Sequence, residues 1–148
     1  MIILRNFIKE DAWNLQRIRY PDLSVEQIET LIYEWNQKRV NDKYFEMFAV
    51  LFDKNIVGML SLYQHSSNVV SIGPEIFEAY RKKGFAKEAM AQACTIAKEK
   101  GYKIVSQQIR TNNTASLALH SALGFETNGL TYTNAKGNQV SIYLKSLI

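Results

Sequence analysis

The sequence predicts a mixed α/β sheet in the order β-α-α-β-β-β-α-β-α-β-β, folded as a single domain over residues 1–148. Three observations predict it. Apolar residues switch repeatedly between helical spacing and strand-like runs. Capping and stop signals bracket the helical stretches. In the second half a strand, a helix rich in small residues and another strand follow closely, the pattern of a strand–helix–strand unit.

Ile2-Ile3-Leu4-Arg5-Asn6-Phe7 reads as the first strand. A helix follows from about Asp11, with Ala12, Leu15 and Ile18 on one face, and ends near Tyr20 because Pro21 restricts the residue before it. Ser24 with Gln27 three residues on forms a capping box, and Val25, Ile28, Leu31, Ile32 and Trp35 continue at helical spacing. From Tyr44 to Phe52 both alternating sets contain apolar residues, which predicts a strand covered on both faces. Asp53-Lys54-Asn55 is turn chemistry, and Ile56 to Tyr63 returns as the partner strand.

Val69 to Phe77 is the next strand, interrupted by Pro74. Proline has no N–H for the ladder, so the strand is expected to be bulged or unpaired there. After Arg81-Lys82-Lys83-Gly84-Phe85-Ala86, a helix runs to Lys100 with Ala86, Ala89, Met90, Ala93 and Ala97 in its stripe. Gly101-Tyr102 stops it. Lys103 to Ile109 is a strand, Asn113 caps a short helix that ends at Gly124-Phe125, and Leu130 to Leu144 forms a hairpin around Asn134 to Asn138.

Composition bounds the function classes. Hydrophobic residues make up 47%, charged residues 22% and aromatics 11%, which is globular and not disordered. The single cysteine, Cys94, excludes an internal disulfide and is most simply a small core residue. The N-terminus lacks the basic lead and apolar core of a signal peptide, and no apolar run approaches the ~20 residues that span a bilayer. The expectation is a soluble cytoplasmic protein with no metal site and no membrane partner.

The net charge is +4, with its densest basic stretch at Arg81-Lys82-Lys83 and Lys87 close behind. One triplet beside a helix start lacks the broad basic stripe of a nucleic-acid binder, so no nucleic-acid partner is expected. A glycine before a helix, ringed by cations, suits phosphate instead, because a helix start leaves N–H groups unpaired at a partial positive charge. Neither G-x-x-x-x-G-K-[ST] nor G-x-G-x-x-G is present, so the nucleoside-triphosphate and dinucleotide loops are excluded.

The flanks sharpen this reading. Ser71-Ile72-Gly73-Pro74-Glu75-Ile76, followed by Tyr80-Arg81-Lys82-Lys83-Gly84-Phe85-Ala86-Lys87-Glu88-Ala89, resembles the acetyl-CoA-binding motif of GCN5-related N-acetyltransferases. The branch resembled includes ribosomal-protein N-terminal and small-amine acetyltransferases. Asn113, Ser116, Leu119, His120, Leu123, Gly124 and Phe125 are similar to that superfamily's second motif. The element order also matches its fold over nearly the whole chain.

The resemblance implies acetyl-CoA as co-substrate and direct acetyl transfer to a primary amine, on a small molecule or a protein N-terminus. It implies that the loop of Lys82, Lys83, Gly84, Phe85, Ala86 and Lys87 holds the pyrophosphate through backbone N–H groups, with Arg81 beside it among the cofactor-binding residues. Glu75, Ile76 and Phe77 would pair by backbone with the pantetheine arm where the central bulged strand splays. Asn113 and Ser116 match cofactor-contacting positions, and Asn113 reads equally as a helix cap.

A protonated amine must lose its proton before it attacks, since a lysine-like amine has a pKa of ~10.4. Glu75 is the leading candidate base, with Glu78 and Glu46 as competitors. His120 occupies the position where the family keeps a proton donor for the leaving thiolate, and its other reading is a packing residue behind the groove. His65 reads as a loop residue. Tyr33, Trp35 and Tyr63 are candidates for the acceptor wall, with Trp35 also continuing the apolar stripe. Alternatively, the chain is a catalytically idle acyl-CoA-binding module on the same fold. Monomer and homodimer are both open.

Overall fold

A computed structural model describes residues 1–148. The strands are β1 (Ile2–Asn6), β2 (Arg39–Val40), β3 (Lys43–Phe52), β4 (Asn55–Gln64), β5 (Val69–Ile76), β6 (Ile104–Arg110), β7 (Tyr132–Thr133) and β8 (Gln139–Ser146). The helices are α1 (Ala12–Ile18), α2 (Val25–Trp35), α3 (Phe85–Glu99) and α4 (Thr114–Ala122), with single 3-10 turns at Lys9–Asp11 and Glu78–Tyr80. The sheet runs β1-β3-β4-β5-β6-β8-β7, and β2 pairs with β3 off this path. No helix is long and apolar enough to cross a membrane.

Every pairing is antiparallel except that of β5 with β6, which α3 connects. This is the strand–helix–strand unit the sequence predicts. The order differs from expectation only by β2, an exposed two-residue strand too short to carry a period. The C-terminal hairpin forms, but its first arm shrinks to Tyr132–Thr133.

Helices cover both faces of the sheet, and the core divides accordingly. Ala89, Ala93 and Ala97 of α3 are fully buried in one cluster, against Val50, Leu60, Leu62, Val70 and Ile72. A stripe of methyl groups lets the helix axis approach the strands closely. On the other face Ala12 and Leu15 of α1 and Ile28 and Ile32 of α2 close over Phe7, Ala49, Met59 and Phe77. Each large aliphatic side chain so buried contributes roughly 1.5–3 kcal/mol. Ile18 departs from the predicted stripe and is 44% exposed, because α1 ends at that residue.

Local signals are realised as read. The Ser24 hydroxyl accepts the Gln27 N–H at 3.1 Å, and the Gln27 side chain accepts the Ser24 N–H at 2.8 Å. Asp53 and Lys54 form a two-residue turn with φ of 51° and 68°, closed by the Phe52–Asn55 pair. Those angles match the right-handed twist of the flanking strands.

The bulge expected at Pro74 lies elsewhere. Leu60 pairs with Pro74 in an unbroken β4–β5 register, whereas the irregularity falls in β3–β4 between Val50 and Leu51. Pro74 is accommodated differently. The N–H and C=O of Ile72 face away from β4, toward β6. Pro74, two residues on, presents its N–H-less nitrogen to the same side, where β5 has already parted from β6. Of the two outcomes expected at Pro74, the strand is unpaired on its β6 side rather than bulged, and no ladder bond is lost.

Candidate functional site

β5 and β6 pair only at Val69–Ile104 and Val70–Val105. Beyond this the strands diverge around a cleft of about 640 Å³. Pro74, Glu75 and Ile76 of β5 line one wall, Asn113, Ala115, Ser116 and Leu119 of α4 the other, and the 81–87 loop with Tyr80 closes the end.

Backbone alternation assigns the strand's peptide groups. The Phe77 N–H donates to Val57 at 2.9 Å, and the Glu75 C=O faces β4 so closely that a Cβ on Gly58 would lie 2.4 Å from it. Their backbones are thus turned to β4, and Phe77 is buried beneath α1 and α2. The groups facing the cleft side are the Pro74 C=O and the peptide edge of Ile76. Of the predicted strand residues, Ile76 alone is placed to pair through its backbone, and Pro74 joins it.

The loop is a built turn. Arg81 donates from Nε to the Ile76 carbonyl at 2.9 Å, tying the loop to the strand end. Lys82 has φ 65° and Gly84 has φ 81°, both left-handed, so the chain doubles back before α3 begins. The first intrahelical bond runs from the Glu88 N–H to the Gly84 C=O, leaving the N–H groups of Phe85, Ala86 and Lys87 without intrahelical partners. With Arg81, Lys82 and Lys87 beside them, these groups form an electropositive rim fitted to a phosphate-bearing ligand. Lys83 does not line the cleft. On the facing wall Asn113 accepts the Ser116 N–H at 3.1 Å and caps α4, so both residues border the cleft with fixed geometry.

Glu75 reaches the cleft from the other side of the sheet. Arg19, just past the end of α1, donates from Nε to its Oε2 at 2.5 Å. That hydrogen bond pushes the Arg19 guanidinium above its already high range, so the cation persists at any working pH. Nothing in the sequence marks Arg19, which lies 56 residues away.

His120 is placed differently from a cleft residue. It is 3% exposed, behind Ser116 and Leu119, with its ring edge-on to Phe125 at 4.9 Å. Nδ1 lies 2.8 Å from the Ser116 carbonyl and Nε2 lies 3.2 Å from Gln107 Nε2. Burial pulls its pKa below the usual histidine value, against a smaller opposing effect of the Ser116 carbonyl. Gln107 in turn accepts the Ile72 N–H at 2.8 Å and donates to the Ile72 C=O at 2.7 Å. Gln107 was legible as a polar residue on the inward face of a strand, between Val105 and Ile109.

The competing carboxylates lie outside the cleft. Glu46 is buried beneath the α3 face, hydrogen-bonded by the Tyr44 hydroxyl and by Asn6, with Lys38 and Lys100 at 3.5 and 3.6 Å. Glu78 sits in the turn before the loop and does not line the cleft. Trp35 packs on Phe7 at 5.4 Å in the core, while Tyr33 is exposed. His65 contacts Ser71 at 2.6 Å and stands edge-on to Tyr63, also away from the cleft lining.

A helix start facing a strand splayed from its parallel neighbour is a fold-defining arrangement, and comparison with known proteins gives it a family. The model of the acetyltransferase (GNAT) family matches residues 7–125, and the chain belongs to that family. It is 33% identical over 99 residues to the SPbeta prophage-derived uncharacterized N-acetyltransferase YokL of Bacillus subtilis (strain 168), covering 65% of this chain and 56% of that protein. The chain thus spans little more than half the length of this relative.

Solved structures share the fold at low identity. The Salmonella typhimurium acetyltransferase that modifies the N-terminal serine of ribosomal protein L7/L12 has a TM-score of 0.81 at 15% identity, covering 98% of this chain and 94% of that one. The structure of yncA from Salmonella typhimurium with its cofactor acetyl-CoA has a TM-score of 0.75 at 14% identity, covering 100% and 95%. The dodecameric spermidine N-acetyltransferase of Vibrio cholerae has a TM-score of 0.78 at 15% identity, covering 99% and 94%.

Proposed function

We propose that the chain is an acetyl-CoA-dependent N-acetyltransferase, working as one domain over residues 1–148 and acting on a primary amine of a small molecule or a protein N-terminus. The observation that carries this is the cleft itself, a splayed strand running into an electropositive helix start. Gly84 to Lys87, with Arg81 and Lys82, would hold the pyrophosphate. The Pro74 C=O and Ile76 N–H would pair with the amides of the pantetheine arm, and Asn113 and Ser116 would border it. Family membership and a fold neighbour solved with acetyl-CoA support the same reading.

Glu75 lies on the face covered by α1 and α2, so the amine would enter from that side and meet the thioester through the gap between β5 and β6. Glu75, directly or through water, takes the proton of the amine, whose nitrogen attacks the thioester carbonyl carbon. The carbon–sulfur bond breaks, the thiolate leaves, and the nitrogen loses its second proton to the thiolate or to solvent. A cysteine-like thiol has a pKa of ~8.5, so this leaving group needs no buried proton donor. Fold neighbours that act on an N-terminal serine and on spermidine support amines as the acceptor class.

The test is a thermal melt with acetyl-CoA, using ATP and NADH as controls, followed by thiol release across a panel of amines. Ligand at about 100 times its dissociation constant adds ~2.7 kcal/mol of stability. A rise in Tm with acetyl-CoA alone, and amine-dependent thiol release, are expected. No rise in the folded protein overturns the reading, and binding without turnover leaves an idle acyl-CoA module.

A further inference from the structure

In a parallel ladder Ile72 would receive its two bonds from two successive peptides of the neighbouring strand. Here one side-chain amide supplies both, at 2.8 and 2.7 Å. The orientation of that amide is forced. The Ile72 N–H requires Oε1 and the Ile72 C=O requires Nε2. The second hydrogen of Nε2 meets His120 Nε2, which must therefore be a lone pair. The ring proton is then on Nδ1, donating to the Ser116 carbonyl at 2.8 Å. Gln107 is 6% exposed and His120 3%, so neither has water to take over these roles.

We infer that Gln107 is a positioning residue that opens the cleft, and that His120 serves the reaction by holding Gln107 rather than by donating a proton. The consequences for the cleft rest on the acetyl-CoA reading above. A glutamine side chain inserted beside Ile72 keeps β6 farther from β5 than the ~4.8 Å of a backbone ladder. The ladder therefore stops at Val70–Val105, and the Pro74 C=O and Ile76 N–H are left free on the cleft side. His120 completes the chain of contacts from Ser116, at the cleft wall, to Ile72. A protonated imidazole would set N–H against N–H at Gln107 and break it. The other groups around the ring are the Ser116 hydroxyl, 3.3 Å from Nδ1, then Phe125 and, from β8, the titratable Tyr143 at 6.3 Å.

Three readouts test this. In the unmodified protein, imidazole nitrogen shifts should report the neutral Nδ1–H form between about pH 6 and 8, whereas an imidazolium at neutral pH overturns the inference. In H120F and Q107L, exchange of the Ile72 amide hydrogen should speed up by about tenfold or more, and unchanged protection overturns it. In turnover, Q107L should raise the KM for acetyl-CoA by about tenfold and H120F by less, with the pH profile of kcat keeping its limbs. An H120F enzyme that loses the alkaline limb of kcat at unchanged KM makes His120 the proton donor and overturns the inference. If Q107L does not fold, H120F and the imidazole spectrum still decide. If the unmodified protein fails to bind acetyl-CoA, the functional reading falls while the exchange and imidazole results still judge the Gln107 contact.

Discussion

The guanidinium of Arg19 and the carboxylate of Glu75, 56 residues apart, meet at 2.5 Å and join the end of α1 to the central strand. The pair is about 40% exposed on each side, so it is worth little to stability. Its significance lies in where it holds Glu75. The contact uses Nε on Arg19 and one oxygen on Glu75, so the other carboxylate oxygen is the one the proposed mechanism offers to an incoming ammonium group.

Glu75→Gln keeps the size of the side chain and removes the proton acceptor. We expect it to lower kcat for amine acetylation by about 10²-fold with little change in acetyl-CoA affinity. Arg19→Gln should instead act mainly on the KM of the amine. Initial rates of thiol release at varied amine separate the two. A Glu75→Gln enzyme at full speed removes Glu75 from the chemistry.

Gly84 is left-handed at φ 81°, with nothing within 4 Å of where a Cβ would stand. The penalty of Gly84→Ala is therefore in the backbone alone, about 1–2 kcal/mol. If the loop relaxes to avoid it, the N–H groups turn away from the proposed phosphate position. Titration calorimetry should show acetyl-CoA affinity falling by about tenfold or more, with the fold retained.

Glu46 makes the protein sensitive to acid. Burial by itself would raise its pKa, but hydrogen bonds from Tyr44 and Asn6 and the charges of Lys38 and Lys100 outweigh burial and lower it. A carboxyl whose folded pKa lies below its unfolded one stabilises the fold fully above the unfolded value. That contribution disappears as the pH falls through the carboxylate range. Glu46→Gln should cost about 1–3 kcal/mol at neutral pH, and the difference should shrink in acid. Urea melts at pH near 7 and near 3.5 check this; a constant difference refutes it.

Lys54 pays for its φ of 68° in the β3–β4 turn, a position that favours glycine. Lys54→Gly should stabilise the protein by roughly 0.5–1 kcal/mol, read as a rise in Tm without change in acetyl-CoA binding. A lower Tm would mean that the lysine side chain contributes more than its backbone conformation costs.

What the sequence determined by itself is what its neighbours along the chain decide. The Ser24–Gln27 box, the Asp53–Lys54 turn and the Gly84 loop involve residues a few positions apart, so their geometry follows from local chemistry. Alternation likewise placed Glu75 on the face opposite Ile72 and Ile76, because the strand's period is two. Tertiary structure decided the rest. Pro74 announces a missing hydrogen bond, but only the sheet shows that its nitrogen faces the parted strand. Ile72 and Gln107 are 35 residues apart, and so no local pattern records their contact. His120 lies on a nine-residue helix rich in small and apolar side chains, where spacing alone does not say which face is turned inward. Packing turned it away from the cleft, because a neutral imidazole with both nitrogens partnered is stable in the interior and leaves no buried polar atom unsatisfied.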